Sequence, residues 1–353
     1  MARNNLHQPA DELFVGVDIG GTKIIVQIVD RGGGVVFRRK TGTSSDVKAI
    51  ADMVRLAVAD AGVSEEEIAG CGFGVPGVTD PGRGIVAAAP ALQWHNLEFS
   101  AQMEALLNKP VTVENDVNCA ALGERWLGAA RDADDFVFIA LGTGVGAAIV
   151  SGGRLIRGHS FMAGEIGYML TAEEEAQEDR QFTFETFGPL EEKISGRALS
   201  GRGIPPEAIL KQYKERSGEG YEIFSNYLKT LSMAMANIAC VLNPQKAVLG
   251  GGAAGTIAGA LDDLRRRLAR LTPVPVAVEC SALGEYAGAF GAAAAASALV
   301  WQRKFDLSFA YGNIFWGMAI IVLAAIGCAH LYLRERRSDR SGGRIKPDYL
   351  ARC

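Results

Sequence analysis

The first residues that could support chemistry follow a short apolar run near the start of the chain. Asp18 precedes Gly20, Gly21, Thr22 and Lys23 in the segment DIGGTK. A carboxylate and a hydroxyl can hold a metal-bound phosphate, and glycine N–H groups can approach phosphate oxygens because no Cβ intervenes. This segment therefore predicts a phosphate-binding loop at the end of a strand.

Two further glycine-rich segments offer similar chemistry. One lies in LGTGVG, and the other follows a strand and precedes a helix, whose dipole favours an anion or a nucleotide. Their candidate ligands are Gly142, Thr143, Gly144, Gly250, Gly251 and Gly252. Each cluster alone is also compatible with an ordinary tight turn. Three such loops together favour nucleotide phosphates.

Apart from the three loops, the carboxylate of Asp116, in the segment VENDVNCAALGE, is a candidate catalytic group. The segment predicts a strand that leads directly into a helix, so the Asp116 side chain could project into a cleft as a general base for a hydroxyl group. Aspartate at this place is also a common N-cap. From the residues alone both roles stay open.

The elements that must position these loops form a weak internal repeat. Residues 13–40 predict three strands joined by glycine-rich turns, and a strand–turn–strand unit of the same kind begins again near residue 136. Helical periodicity follows in residues 46–62, and again in residues 221–241 and 255–271. The repeat predicts two similar α/β lobes, each with a glycine-rich hairpin at a shared cleft.

The order of these motifs resembles that of the ROK sugar kinases. The resemblance covers about residues 13–298, and its motifs in this chain are DIGGTK, GVPG, VENDVNCAALGE, LGTGVG, AGEIG and LGGG. It implies an α/β fold of two RNase H-like lobes around a central cleft, the actin-like ATPase fold. It also suggests a homodimer.

The resemblance further implies an ATP- and Mg²⁺-dependent hexose kinase. Asp116 is then the general base, and the glycine loops with Asp18, Thr22, Lys23 and Thr143 hold the nucleotide phosphates, Asp18 binding Mg²⁺ through water. The residues expected at the sugar are Asn115, Glu165, Tyr168 and Glu191. Which hexose is phosphorylated stays open, with glucose or a related sugar expected.

The chain departs from the family in its metal site. Residues 169–187 contain no cysteine or histidine, Pro189 replaces a family cysteine, and Tyr168 stands where the family has a histidine. Tetrahedral zinc needs four ligands, so we expect no structural zinc. We expect the acidic residues 173–175 to form a solvated loop.

Composition excludes other classes of protein. The chain has 353 residues, 36 Lys and Arg against 40 Asp and Glu, and a net charge of −4, which makes nucleic acid a poor partner. The first core strand begins at Leu13, which leaves no space for an N-terminal helix-turn-helix. Six scattered cysteines and the lack of an export signal favour a reduced, cytoplasmic catalytic domain.

Beyond the core, residues 314–333 form a twenty-residue apolar run, long enough at ~1.5 Å per residue to span a bilayer. They predict a single-pass membrane helix near the C-terminus; an interfacial segment and a hairpin with residues 288–301 are alternatives. The predicted organisation is a flexible N-terminus (1–12), two lobes (13–118 and 119–298), a linker (299–313), the membrane helix (314–333) and a basic tail (334–353).

Two functions follow from these residues. The first is the hexose kinase, tethered to a lipid bilayer. The alternative is a membrane-bound sugar sensor that keeps the pocket and has lost turnover, which the missing zinc ligands and Tyr168 favour. Asp116 argues for the kinase, because sensing needs no base.

Overall fold

The structure is a computed structural model that describes residues 12–171, 182–183, 186–201 and 203–306. The chain divides into two compact units, Met1–Val300 and Trp301–Cys353. All elements discussed below belong to the first unit, and in the second unit residues 301–306 are helical. Residues 1–11 of the predicted flexible N-terminus lie outside the described residues.

Strands and helices alternate along the chain in the order expected of an α/β protein. The strands are β1 Leu13–Ile19, β2 Lys23–Val29, β3 Val35–Gly42, β4 Ile68–Val75, β5 Val78–Asp80, β6 Ile85–Ala89, β7 Trp94–Leu97, β8 Val111–Asn115, β9 Phe136–Leu141, β10 Val145–Ser151, β11 Arg154–Ile156, β12 Lys246–Gly250 and β13 Ala277–Cys280. The helices are α1 Val47–Asp60, α2 Phe99–Leu107, α3 Asp116–Leu127, α4 Pro189–Ile194, α5 Gly196–Ser200, α6 Pro206–Glu215, α7 Gly218–Leu242, α8 Ala254–Ala258, α9 Leu261–Leu271 and α10, residues 287–300.

Two five-stranded sheets share one topology. Their strand orders are β3-β2-β1-β4-β8 and β11-β10-β9-β12-β13. In each sheet the first three strands form an antiparallel meander, and the last two run parallel to the central strand, β1 or β9. The parallel pairings need crossover connections, which the helices supply. The repeat predicted from sequence is therefore a repeat of topology.

The central strands explain where the core forms. β1 is buried along nearly its whole length, as expected of a strand with neighbours on both sides, whereas the edge strand β3 alternates exposed and half-buried residues. Apolar side chains of the first sheet pack against α1 and α2, and those of the second sheet pack against α4 to α9. A small antiparallel sheet, β5-β6-β7, lies beside α2.

Two helices pack against the first sheet near Asp18 and Asp116, and one of them, α3, also contacts the second sheet. α3 contacts β4 and β8 of the first sheet and β9 and β10 of the second. α10 lies across β1 and β4, where Gly16 and Gly72 let its backbone approach so closely that any Cβ would overlap it. The lobe boundaries at 118 and 298 stay predictions, but α10 returns to the first sheet, which those boundaries did not anticipate.

The predicted membrane localisation is wrong for the part of the chain that the structure describes. None of the helices found there combines the length and the apolar composition needed to cross a bilayer. α7 has sufficient length at 25 residues, but it carries Glu219, Glu222 and Lys229. The segment 314–333, on which the expectation rested, and the tail that follows it lie outside the described residues.

Candidate active site

The first glycine loop closes a tight hairpin between β1 and β2. The Gly20 N–H donates to the Lys23 carbonyl oxygen at 2.8 Å, and the Thr43 hydroxyl donates to the Gly20 carbonyl at 2.6 Å. Asp18 lies just before this turn, with its carboxyl against Gly288 in the first turn of α10. The carboxylate is thus held at the end of the central strand, as predicted.

The second and third loops meet at the equivalent end of β9. The Gly142 N–H donates to the Gly144 carbonyl at 3.0 Å, and the Ala253 N–H, just after the third loop, donates to the Leu141 carbonyl at 2.9 Å. Gly251 has φ +83° and lies against the Leu141 backbone, so only glycine fits there. The structure brings both predicted loops together.

One glycine of each loop borders open space. A Cβ built on Gly21, Gly142 or Gly252 would meet no atom within 4 Å. These glycines are therefore not required by packing, and the space beside them can admit a ligand close to the backbone. A phosphate cradle requires such open space, which glycines of ordinary turns such as Gly62 and Gly152 also have.

Lys23 has a different partner from the predicted phosphate. Its ammonium lies 2.7 Å from Glu285, in the turn before α10, and Lys40 contacts the same carboxylate at 2.8 Å. Hydrogen bonds from these two ammonium groups lower the pKa of Glu285 to about 2. This cluster could not be predicted from sequence, because 262 residues separate Lys23 from Glu285.

Asp18 and Asp116 form the electrostatic centre of the site. Burial and, to a smaller extent, the negative charge of Asp116 raise the pKa of Asp18 to about 7, although the nearby Lys23 opposes the shift. Burial also raises the pKa of Asp116. The two carboxylates therefore share a poorly hydrated space in which their negative charges repel each other.

This pair fits the requirements of Mg²⁺. Magnesium is usually bound by one or two carboxylates together with substrate phosphates and water, and a cation here would relieve the repulsion between Asp18 and Asp116. Among the described residues there is no cluster of three or more His, Cys, Asp or Glu that could hold a metal without a substrate. The absence of structural zinc stays a prediction, and the acidic run at 173–175 lies outside the described residues.

The N-cap of α3 is Asn115 rather than Asp116. The Asn115 Oδ1 atom accepts from the Asn118 N–H at 3.0 Å, and its Nδ2 donates to the Gly77 carbonyl at 3.0 Å. Asp116 occupies the first helical position, where its Oδ1 accepts from the Val117 N–H at 2.9 Å. The capping role considered for Asp116 is therefore wrong, and Asn115 spends much of its hydrogen-bonding capacity inside the protein.

Glu165 and Glu191 lie close to Asp116 and to each other. The pKa of Glu165 is raised by burial, then by the negative charges of Asp116 and Glu191. Glu191 fastens the second hairpin to α4, since its Oε1 accepts from the Val145 N–H at 2.8 Å and its Oε2 accepts from the Gly188 N–H at 3.3 Å. The structure thus assembles the predicted carboxylates, and their contacts with sugar stay predictions.

Tyr168 lies beside these carboxylates but directs its hydroxyl elsewhere. The pKa of Tyr168 is raised by burial and by the charges of Glu165 and Glu191. Its hydroxyl is 3.0 Å from the Thr183 carbonyl oxygen and 3.3 Å from that of Thr186. The phenol predicted to donate to sugar therefore has acceptors in the protein backbone.

An ion pair that sequence analysis did not identify lies behind Asp116. The Glu114 side chain is 3% exposed, and its Oε2 accepts from Arg157 Nε at 2.7 Å and lies 2.6 Å from Arg157 Nη2. Its Oε1 accepts from the Asn115 N–H and from Asn118 Nδ2, both at 3.0 Å. The pair joins β8 of the first sheet to the segment after β11 of the second.

Comparison with known proteins agrees with this architecture. The model of the ROK family matches residues 14–298. Glucokinase of Streptomyces coelicolor is 31% identical over 310 residues, covering 80% of this chain and 96% of the relative. Beta-glucoside kinase of Listeria monocytogenes is 30% identical over 241 residues, covering 67% and 81%.

A solved structure shows the same fold. The ROK family glucokinase from Streptomyces griseus, in complex with glucose and AMPPNP, matches with a TM-score of 0.67 and 29% identity, covering 81% of this chain and 99% of that one. The duplicated sheets and their glycine hairpins define an actin-like ATPase fold. The chain belongs to the ROK family, which confirms the resemblance drawn from its motifs.

Proposed function

We propose that this chain is an ATP- and Mg²⁺-dependent sugar kinase that transfers the γ-phosphate to a hydroxyl group of a hexose. The observation that carries the proposal is the position of Asp116. This carboxylate is not needed as a helix cap, has a raised pKa, and its negative charge raises the pKa of both Asp18 and Glu165. The two relatives named glucokinase and beta-glucoside kinase support the same class of reaction.

The phosphate side of the site is built from the three glycine loops. Gly21, Gly142 and Gly252 border open space, so N–H groups of these loops can cradle phosphate oxygens. Asp18 would hold Mg²⁺ through water, and the ion would supply charge neutralisation at the phosphates. The AMPPNP complex of the Streptomyces griseus relative supports a nucleotide as a substrate of this chain.

The acceptor side needs a group that takes the proton of the attacking hydroxyl. Asp116 Oδ1 accepts from the Val117 N–H, which fixes the carboxylate at the start of α3. A raised pKa makes this carboxylate a stronger proton acceptor than an ordinary aspartate. Phosphoryl transfer needs little more from the protein than this base, correct positioning and charge stabilisation.

The sugar is held by the carboxylates around Asp116. Glu165 is the strongest candidate, because its partly buried carboxylate lies near Asp116. Its oxygens can accept hydrogen bonds from sugar hydroxyls. Glu191 and Asn115 position the second hairpin and α3, and each keeps part of its hydrogen-bonding capacity for a ligand. We propose glucose or a closely related hexose as the acceptor; a homodimer, suggested by the family, gains no support from the comparisons.

A coupled assay of ADP release tests the proposed function. The full chain is incubated with ATP, Mg²⁺ and one of a panel of hexoses: glucose, fructose, mannose and their N-acetylamino relatives. We expect ADP release that depends on at least one sugar and is absent when the sugar is omitted. Failure of every hexose to stimulate ADP release above the sugar-free rate would contradict the proposal.

A further inference from the structure

A second cavity lies on the outer side of the second sheet's helices, between the end of α6, the start of α7 and α9. Its volume is about 510 Å³, which is within the range of small-ligand sites. None of the residues that line it belongs to the glycine loops or to the carboxylates of the candidate active site. It is therefore a separate feature of the fold.

The lining of this cavity is strongly basic. Its charged residues are Lys214, Arg216, Arg266, Arg267, Arg270 and Asp263. Five cations and one carboxylate give a formal charge of +4, in a chain whose net charge is −4. Like charges that converge on one concave surface repel each other and focus a positive potential into it.

The single carboxylate of the cavity is already engaged. Asp263 forms an ion pair with Arg266 through Oδ1, and its Oδ2 accepts from the Tyr213 hydroxyl at 3.0 Å. In the described part of the chain, Lys214, Arg216 and Arg270 form no ion pair with a carboxylate. Three cations therefore remain available for an anion from solution.

The backbone at Arg216 provides an independent observation. Arg216 is the C-cap of α6 and adopts a left-handed conformation with φ +53°, which glycine or asparagine adopts more readily. An arginine at this position costs backbone energy and places one more cation at the cavity. Compensation of the helix dipole accounts for a cation here, but not for five cations from α6 and α9 around one space.

We propose that this cavity is a binding site for an anion that carries two or more phosphate groups. Two phosphate groups carry a charge of about −3 to −4 near neutral pH, which matches the charge of the lining. Each arginine guanidinium group can donate two parallel hydrogen bonds to the oxygens of one phosphate. A linear polyphosphate, a nucleotide and a bisphosphorylated sugar share this chemistry.

Isothermal titration of the full chain with inorganic tripolyphosphate tests the site. AMPPNP is left out, because a nucleotide is a candidate ligand of the cavity and would compete with the probe. A two-site fit separates tripolyphosphate bound at the candidate active site, which neither double variant should change. The double variant Arg216→Gln/Arg270→Gln removes two lining cations, and Arg131→Gln/Arg154→Gln removes the same charge from exposed positions outside the cavity. We expect binding by the wild-type chain, weakened at least tenfold in the first variant and retained in the second.

Absence of binding to the wild-type chain, or equal weakening in both variants, would overturn the proposal. Should the double variant have a lowered Tm, the single change Lys214→Gln takes its place. Parallel titrations with ADP and fructose 1,6-bisphosphate distinguish the three kinds of ligand. The probe that binds with the lowest Kd shows whether the phosphates belong to a polyphosphate, a nucleotide or a sugar. The titration needs no turnover, so failure of the proposed kinase activity leaves this test intact.

Discussion

Arg157 is the residue whose removal would disturb the candidate site most without touching a substrate. Its guanidinium holds the buried Glu114 carboxylate, and its carbonyl accepts from the Ala163 N–H at 3.0 Å. Arg157 therefore connects the strand that precedes Asp116 to the segment that carries Glu165. Without Arg157 the buried Glu114 carboxylate would have no cationic partner, so it would bind a proton or a water molecule instead.

We predict that Arg157→Ala lowers kcat/KM for the sugar at least tenfold and destabilises the fold by about 2 kcal/mol, since it removes charge-assisted hydrogen bonds. Arg157→Lys keeps the charge without the planar fork and should restore part of both losses. Steady-state kinetics and urea unfolding measure the two effects. Arg154→Ala, an exposed change three residues earlier, is the control, and kinetics of Arg157→Ala equal to this control would contradict the prediction.

The residues around Asp116 show what sequence could and could not provide. The types and order of Asp18, Asp116 and the glycine loops indicated which segments come together, whereas their roles toward phosphate and sugar stay predictions. The sequence could not separate cap from base at Asn115 and Asp116, because both residue types cap helices well. It also missed the Glu114–Arg157 pair, since 43 residues separate the partners and charged residues have no periodic signature.

At the scale of elements, the contact of α10 with β1 and β4 depends on small residues. A Cβ on Gly16 would overlap the backbone of α10 at Ala289, and a Cβ on Gly72 would overlap it at Ala292. The helix can therefore pack directly on the sheet only while these positions are glycine. α10 also brings Gly288 against the Asp18 carboxyl, so this contact affects the site as well as stability.

We predict that Gly16→Ala lowers the free energy of unfolding by about 3 kcal/mol or more, because a methyl group must displace main-chain atoms in a packed interface. Urea unfolding followed by circular dichroism measures the loss. Gly255→Ala in α8 is the matched control, since its Cβ would meet no atom within 4 Å. Equal stability of the two variants would show that α10 does not pack on β1 in this way.

Patterns of apolar residues predicted most elements but not this one. The strands of both meanders and α1 have clear periodicity, and they were expected near their observed positions. Residues 287–300 are rich in alanine and glycine, so they carry no strong amphipathic pattern, and sequence analysis treated them as the end of the globular core. Their location became evident only from the close approach of two backbones.

At the scale of the whole molecule, the site lies where two copies of one topology meet. We expect turnover to depend on a metal ion, because the two carboxylates Asp18 and Asp116 can bind Mg²⁺ together with a substrate phosphate. We predict that EDTA abolishes sugar-dependent ADP release and that added Mg²⁺ restores it. A zinc-selective chelator at low concentration should leave both turnover and Tm unchanged.

The control for this prediction is the same chelator saturated with zinc before use. A fall in Tm with the free chelator, reversed by zinc, would reveal a structural zinc ion and contradict the expectation drawn from residues 169–187. Retention of full turnover in EDTA would contradict the role given to Asp18.

The most direct test of the proposed kinase mechanism is the variant Asp116→Asn, with turnover and glucose binding measured on the same preparation. The amide keeps the size of the side chain and cannot accept the hydroxyl proton. We predict a loss of about 10²-fold or more in kcat, with glucose binding within a few-fold of the wild-type value. Unchanged turnover would contradict the kinase mechanism, and unchanged glucose binding without any wild-type turnover would favour a sugar sensor of the same fold.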